Sequence, residues 1–211
     1  MNMKETAKRL LTPISCLRWG IRTHGKFLYI GNHSKIVNGN RICFGNRVSI
    51  MPYNMVVCLS EKASLKIGEN AEIGMFSRIA CANRIEIGKC VVTGPHVFIA
   101  DFSHEYREID IPILWQNTPI TSENKVVIGD ETWLGTNVVI SGKITVGKHC
   151  VIGANSVVTT DIPDYSVAVG IPAKVIKKYN FTTQRWEKAG NSEKNGKLSS
   201  QASARIGVHN D

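Results

Sequence analysis

Residues 128–163, cut every six residues, read IGDETW, LGTNVV, ISGKIT, VGKHCV, IGANSV and VTTDIP. Each block opens on an aliphatic: Ile128, Leu134, Ile140, Val146, Ile152 and Val158. A small residue follows each of them, most often glycine, as at Gly129, Gly135, Gly147 and Gly153. The fifth place is also small or branched: Thr132, Val138, Ile144, Cys150, Ser156 and Ile162. The same phase runs upstream through Ile67, Ile73, Ile79 and Ile85, and more weakly through Ile30, Ile36 and Ile42. A shift of two residues restarts it at Ile87, and it continues through Thr93 and Ile99.

No helix holds this pattern, because six residues turn a helix through about 600° and the aliphatics would drift round its surface. Long strands fail too, since Gly and Asn punctuate the chain too often. Short strand, turn, short strand at a fixed step describes a three-sided coil. Coils stack so that the aliphatics form internal ladders, and stacking buries what one repeat cannot bury alone. Glycine after each aliphatic is expected to permit the tight corner. The fold class is an all-β solenoid.

These repeats resemble those of the hexapeptide-repeat acyltransferases, the maltose and galactoside acetyltransferases and polysaccharide O-acetyltransferases among them. The resemblance covers roughly residues 28–179. It implies a left-handed parallel β-helix, an exception to the usual right-handed crossover. It also implies a homotrimer with active sites between neighbouring prisms, and acetyl-CoA as co-substrate.

The six-step stops at Ile99-Ala100 and resumes at Ile128. The insertion 101–127, DFSHEYREIDIPILWQNTPITSENKVV, has no period, which marks a functional loop. At its root stand Asp101, Ser103, His104 and Glu105. A sugar hydroxyl is too weakly acidic to attack a thioester unaided, and an imidazole is the side chain suited to take its proton. FIADFSHEY is similar to the stretch in which the family's catalytic histidine ends a coil, which implies His104 as the base. Glu105, Asp101 or a backbone carbonyl would orient it, and amides near Ser141 and Gly142 would face the oxyanion. A zinc hydratase like the γ-class carbonic anhydrases needs three converging imidazoles. His96 lies eight residues before His104 and the loop adds none, so no metal is expected.

The stretch GIPAKVIKK (170–178) is similar to the family's closing signature. By position, Thr136, Ala154, Thr159, Thr160, Lys174 and Lys177 match residues placed around acetyl-CoA. Thr136 stands for a serine, Thr160 for a frequent lysine, and Lys174 and Lys177 for arginines, so the charge is kept but the two-pronged fork is lost. Trp133, in TWLG, either walls the cofactor groove or covers the trimer interface. Acceptor contacts are expected from the loop and from Arg78, Asn83 and Arg84. The polar residues that galactoside acetyltransferases use there do not align, which favours capsular, exopolysaccharide or lipopolysaccharide sugars as acceptor. An N-acetyltransferase of an amino sugar and a noncatalytic scaffold are the alternatives.

Lys and Arg total 26 against 17 acids, a net charge of +9, and +8 of it falls in residues 1–47. That asymmetry argues against a nucleic-acid-binding body. Residues 1–26 form an expected basic amphipathic cap: Leu10, Ile14, Leu17 and Ile21 share a helical stripe. The cap either covers the first coil or touches an anionic membrane surface. Residues 27–179 are the expected acyltransferase domain. A short helix over 181–189 and a disordered tail complete 180–211. There is no apolar run of about 18 residues and no signal-like stretch, so a cytoplasmic protein, possible at the inner membrane surface, is expected. The six cysteines hold no CxxC and read as small buried hydrophobes.

Overall fold

A computed structural model describes residues 19–21 and 27–189. The stripe Leu10, Ile14, Leu17 and the tail beyond residue 189 lie outside the described residues, whereas Ile21 is buried in the core. The chain is an all-β parallel solenoid of about seven turns.

Each coil has three sides. The first face stacks Leu28–Ile30, Val48–Ile50, Glu72–Ile73, Val92–Thr93, Trp133–Leu134, Val151–Ile152 and Ser166–Val169. The second stacks Lys35–Val37, Met55–Cys58, Arg78–Cys81, Phe98–Ala100, Val139–Ser141 and Val157–Val158. The third stacks Ile42–Phe44, Ser64–Ile67, Arg84–Ile87, Lys125–Ile128 and Ile144–Val146. Every third member of the six-step falls on one face. Val56, Ile79, Ile99, Ile140 and Val158 pair in register down the second, all buried. Ile67, Ile87, Ile128 and Val146 do the same on the third. Each such side chain contributes about 1.5–3 kcal/mol of apolar burial. The buried polar residues Asn54, Ser77, Thr93, Thr132 and Ser156 hydrogen-bond the corners from inside.

The three edges are not alike. From inward residue to inward residue, the step from first face to second is six throughout: Ile50 to Val56, Ile73 to Ile79, Thr93 to Ile99, Leu134 to Ile140, Ile152 to Val158. From third face to first it is also six: Ile67 to Ile73, Ile87 to Thr93, Ile128 to Leu134, Val146 to Ile152. From second to third it varies: Val56 to Ile67, Ile79 to Ile87, Ile99 to Ile128, Ile140 to Val146. The two-residue phase shift and the long insertion therefore share one edge.

Glycine serves the corners differently from expectation. Gly68, Gly74, Gly129 and Gly135 are not in the left-handed region; that conformation falls two residues on, at Asn70, Phe76, Glu131 and Asn137. The glycines are required by the next coil. A Cβ on Gly74 would lie 2.3 Å from the Gly94 carbonyl oxygen, and one on Gly129 2.4 Å from the Lys148 nitrogen. The left-handed residues stack instead: His33, Tyr53, Phe76 and His96 form a column with ring centroids 4.9, 5.0 and 5.1 Å apart.

The helix expected over 181–189 is replaced by a β-hairpin. Lys174–Asn180 pairs antiparallel with Ser166–Val169, and Arg185–Lys188 pairs with Lys174–Asn180. The last parallel strand leaves an edge of unpaired amides and carbonyls, which the β-forming run Val175, Ile176 and Tyr179 covers. Asn180 Oδ1 accepts the N–H groups of Thr182 and Thr183 and turns the chain back. The hairpin carries the folded body past residue 180. Cys58, Cys81 and Cys150 are buried as expected, but Cys43 and Cys90 point out of the coil and are exposed.

A direct check separates close approach from backbone strain. Gly129→Ala is expected to cost about 1–3 kcal/mol through overpacking, whereas Asn155→Gly at a left-handed position changes stability by less than about 1 kcal/mol. Urea denaturation of the two variants measures both.

Candidate active site

The variable edge between second and third faces holds the insertion, and its base is built on one buried carboxylate. Asp101 follows Phe98–Ala100 and is wholly buried. Its Oδ1 accepts the Ala82 N–H at 2.7 Å, and its Oδ2 accepts those of Asn83 and Arg84 at 2.7 and 2.6 Å. Three charge-assisted bonds fix the corner of the coil above. The Asn124 amide donates to the Asp101 carbonyl at 2.9 Å, and the Asn83 amide donates to the Asn124 carbonyl at 2.6 Å. Both ends of the loop are thus held together. Lys143 on the next coil bridges to Glu123.

His104 leaves this base three residues after Asp101. Its imidazole is exposed and has no hydrogen-bond partner among the described residues. Neither carboxylate orients it. Asp101 is committed to the three amides. Glu105 accepts the N–H groups of Tyr106 and Arg107 and is paired with the Arg107 guanidinium, which holds its carboxyl down to about 2. The expectation that either steers the ring is corrected for this conformation: local amides and a cation outcompete a neutral imidazole for a carboxylate.

Beyond His104 the loop projects. Gln116 donates to the carbonyls of Glu108 and Ile111 at 2.8 and 2.6 Å and closes its tip into a compact lobe. The lobe leaves Ile109, Leu114 and Trp115 at 93%, 88% and 74% exposure.

The expected cofactor residues fall on both edges of the second face. Ser141, Gly142, Thr159 and Thr160 lie at its edge with the third, on the coils below His104; Ala100 pairs with Ser141. Thr136, Ala154 and Lys174 lie towards its edge with the first. The Ser141 hydroxyl donates to the Phe102 carbonyl at 3.3 Å. The Gly142 N–H donates to the Ala100 carbonyl at 3.0 Å, so it is not free to meet an oxyanion in this conformation. Trp133, half-exposed, stands outward on the first face in one register row with Val92, Val151, Val167 and Lys177.

Of the expected acceptor residues, Asn83 is consumed by the loop base, and the Arg84 guanidinium pairs with Glu86. Arg78 is exposed on the second face between Met55 and Phe98 and forms no ion pair among the described residues. His96 and His149 are exposed at two other edges, each in the left-handed conformation, His149 against Glu131 at 3.0 Å.

The bacterial transferase hexapeptide model, of six repeats, matches residues 125–160. WbbJ of Escherichia coli (strain K12), named provisionally as a lipopolysaccharide biosynthesis O-acetyl transferase, is 38% identical over 125 residues, covering 57% of this chain and 64% of WbbJ. Residues 125–160 thus carry the repeat of the hexapeptide transferase family. Rv3034c of Mycobacterium tuberculosis (strain ATCC 25618 / H37Rv), named provisionally as an acetyltransferase, is 37% identical over 128 residues, 61% of this chain and 41% of that protein. The chain thus spans less than two thirds of the length of either relative. In fold it is similar to a variant of AntD, an N-acyltransferase from Bacillus cereus solved with dTDP and coenzyme A. The TM-score is 0.61 at 19% identity, over 83% of this chain and 89% of that one. Among the described residues no helix is long and apolar enough to cross a membrane.

Asn124 and Gln116, which shape the loop, escaped the sequence reading, because nothing in a side chain's type shows that it will bond to a backbone carbonyl 5 to 23 residues away. Asp101→Ala would strand three backbone donors, one of them fully buried, at about 3 kcal/mol or more. Asp101→Asn keeps one acceptor oxygen and is expected to cost less. Urea unfolding ranks the pair, and amide exchange over 82–84 and 101–124 reports the released corner.

Proposed function

We propose that the chain is an acetyl-CoA-dependent O-acetyltransferase acting on a sugar hydroxyl of a glycan, with His104 as general base. The observation that carries this reading is the unpartnered, exposed imidazole held at the root of a loop whose base is fixed by buried hydrogen bonds. A base must be free to accept a proton, and here the ring is unpartnered while the loop base holds the backbone from which it leaves. The provisional name of the relative WbbJ supports lipopolysaccharide-type sugars as acceptor.

In the reaction, His104 takes the proton of the acceptor hydroxyl as its oxygen attacks the thioester carbonyl carbon. The tetrahedral intermediate then collapses, the carbon–sulfur bond breaks, and the thiolate recovers the proton from the imidazolium. Gly142 would serve the oxyanion only by giving up its bond to Ala100.

His104 leaves the edge between second and third faces, and Trp133 stands on the first face, which lies opposite that edge. One prism therefore cannot bring the two together. We assign the completed site to neighbouring copies in a homotrimer, where the apolar loop lobe of one copy meets another. This arrangement would also cover Ile109, Leu114 and Trp115. Acyl transfer to an amino sugar is the second reading, favoured by AntD being an N-acyltransferase solved with dTDP.

His104→Ala is expected to lower turnover by about 10²–10⁴ while coenzyme A binding persists. Thiol release from acetyl-CoA over a panel of sugars, oligosaccharides and amino sugars measures the first, and titration calorimetry the second. Near-normal turnover would remove His104 from the mechanism. Co-expressed His104→Ala and Trp133→Ala chains are expected to recover part of the activity each lacks alone, since mixed trimers contain one intact site between copies.

A further inference from the structure

The C-terminal hairpin places two lysines directly opposite each other. Lys177 and Lys188 are Cα partners across Lys174–Asn180 and Arg185–Lys188, and both are exposed. Neither ammonium group is in an ion pair or side-chain hydrogen bond among the described residues. Directly opposed like charges destabilise a hairpin, with Cβ atoms about 4.5–5.5 Å apart. The neighbouring pair, Lys178 opposite Glu187, does not repeat the clash. An anion between the two ammonium groups would turn the repulsion into a clamp.

The pair ends a continuous row. Trp133, Val151, Val167, Lys177 and Lys188 are in register across five adjacent strands, so an apolar strip runs into two cations. The row suits a ligand with a neutral extended arm and a phosphorylated end. From the coil that bears Val92–Thr93 and launches His104 to the strand of Lys188 is five strand steps, roughly 24 Å along the axis. The hairpin thus lies at the end of the molecule farthest from the reacting centre, as does the 3′-phosphate of coenzyme A from its thioester sulfur.

We propose that Lys177 and Lys188 together clamp the 3′-phosphate of coenzyme A. The inference rests on the coenzyme A reading above and adds Lys188 to it. Two lysines side by side supply the two-pronged cation that a single lysine at position 177 lacks.

Titration calorimetry of the full-length protein with coenzyme A and with 3′-dephospho-coenzyme A tests it. The wild type is expected to prefer coenzyme A by about tenfold. Lys188→Ala should abolish that preference by weakening coenzyme A alone, and Lys188→Arg should restore it. Lys188→Glu, which sets opposite charges across the hairpin, should lose the preference without lowering the melting temperature. A Lys188→Ala protein that keeps the wild-type preference, or weakens both ligands equally, would overturn the clamp while leaving the cofactor reading intact. A wild type that binds neither ligand would overturn both.

Discussion

At Gly31, Gly45, Gly74 and Gly129 a methyl group would sit 2.3–2.4 Å from backbone atoms of the next coil. No side chain tolerates that distance, so successive coils lock at the edges where these glycines stand. The lock explains why the steps from first face to second and from third to first never depart from six. A residue added there would push a Cβ into the neighbouring backbone and turn an inward aliphatic outward. At the third edge no glycine packs this way against the next coil (Gly39 there meets the Trp19 carbonyl, and Gly142 has open space beside it), and there the chain changes length. Packing thus leaves that edge as the one that takes the long insertion.

This accounts for what was legible in the sequence. The ladder residues announced themselves because both locked edges enforce one period over most of the chain. The restart at Ile87 looked like an irregularity of the repeat; in the structure it is the free edge lengthened at Ala82 and Asn83, the corner that Asp101 holds. Glycine's position was readable and its reason was not: sequence shows which residue lacks a Cβ, but not which backbone approaches it. The terminal hairpin escaped for a related cause. Lys174–Asn180 has no partner of its own period, and only the open edge of Ser166–Val169 makes it a strand.

The candidate site was legible to the extent that its expected chemistry resides in one residue type. An imidazole at the end of a coil is visible in the string of letters. The roles of the carboxylates around it were not, because Asp101 and Glu105 are equally acidic and differ only in where they point. Asp101 turns inward to three amides; Glu105 turns to Arg107. Asn83 seemed free for an acceptor but closes the loop base. Each is drawn to the nearest unsatisfied donor or acceptor, and a buried corner offers more of these than solvent does.

Charge is unevenly spread along the chain. The excess belongs to residues 1–47, and of its described cations Arg41 stands on the variable edge itself, between Lys35–Val37 and Ile42–Phe44. The cations of the terminal hairpin are fewer, but they are held in register by the strands. Lys177 and Lys188 face one another because Ser166–Val169 fixes Lys174–Asn180, which in turn fixes Arg185–Lys188. A long-range field needs only net charge, whereas recognition of one phosphoryl group needs two charges at a fixed separation. The hairpin meets the second requirement by antiparallel pairing onto the last parallel strand, so the stacked coils set the geometry at the far end as well as in the core.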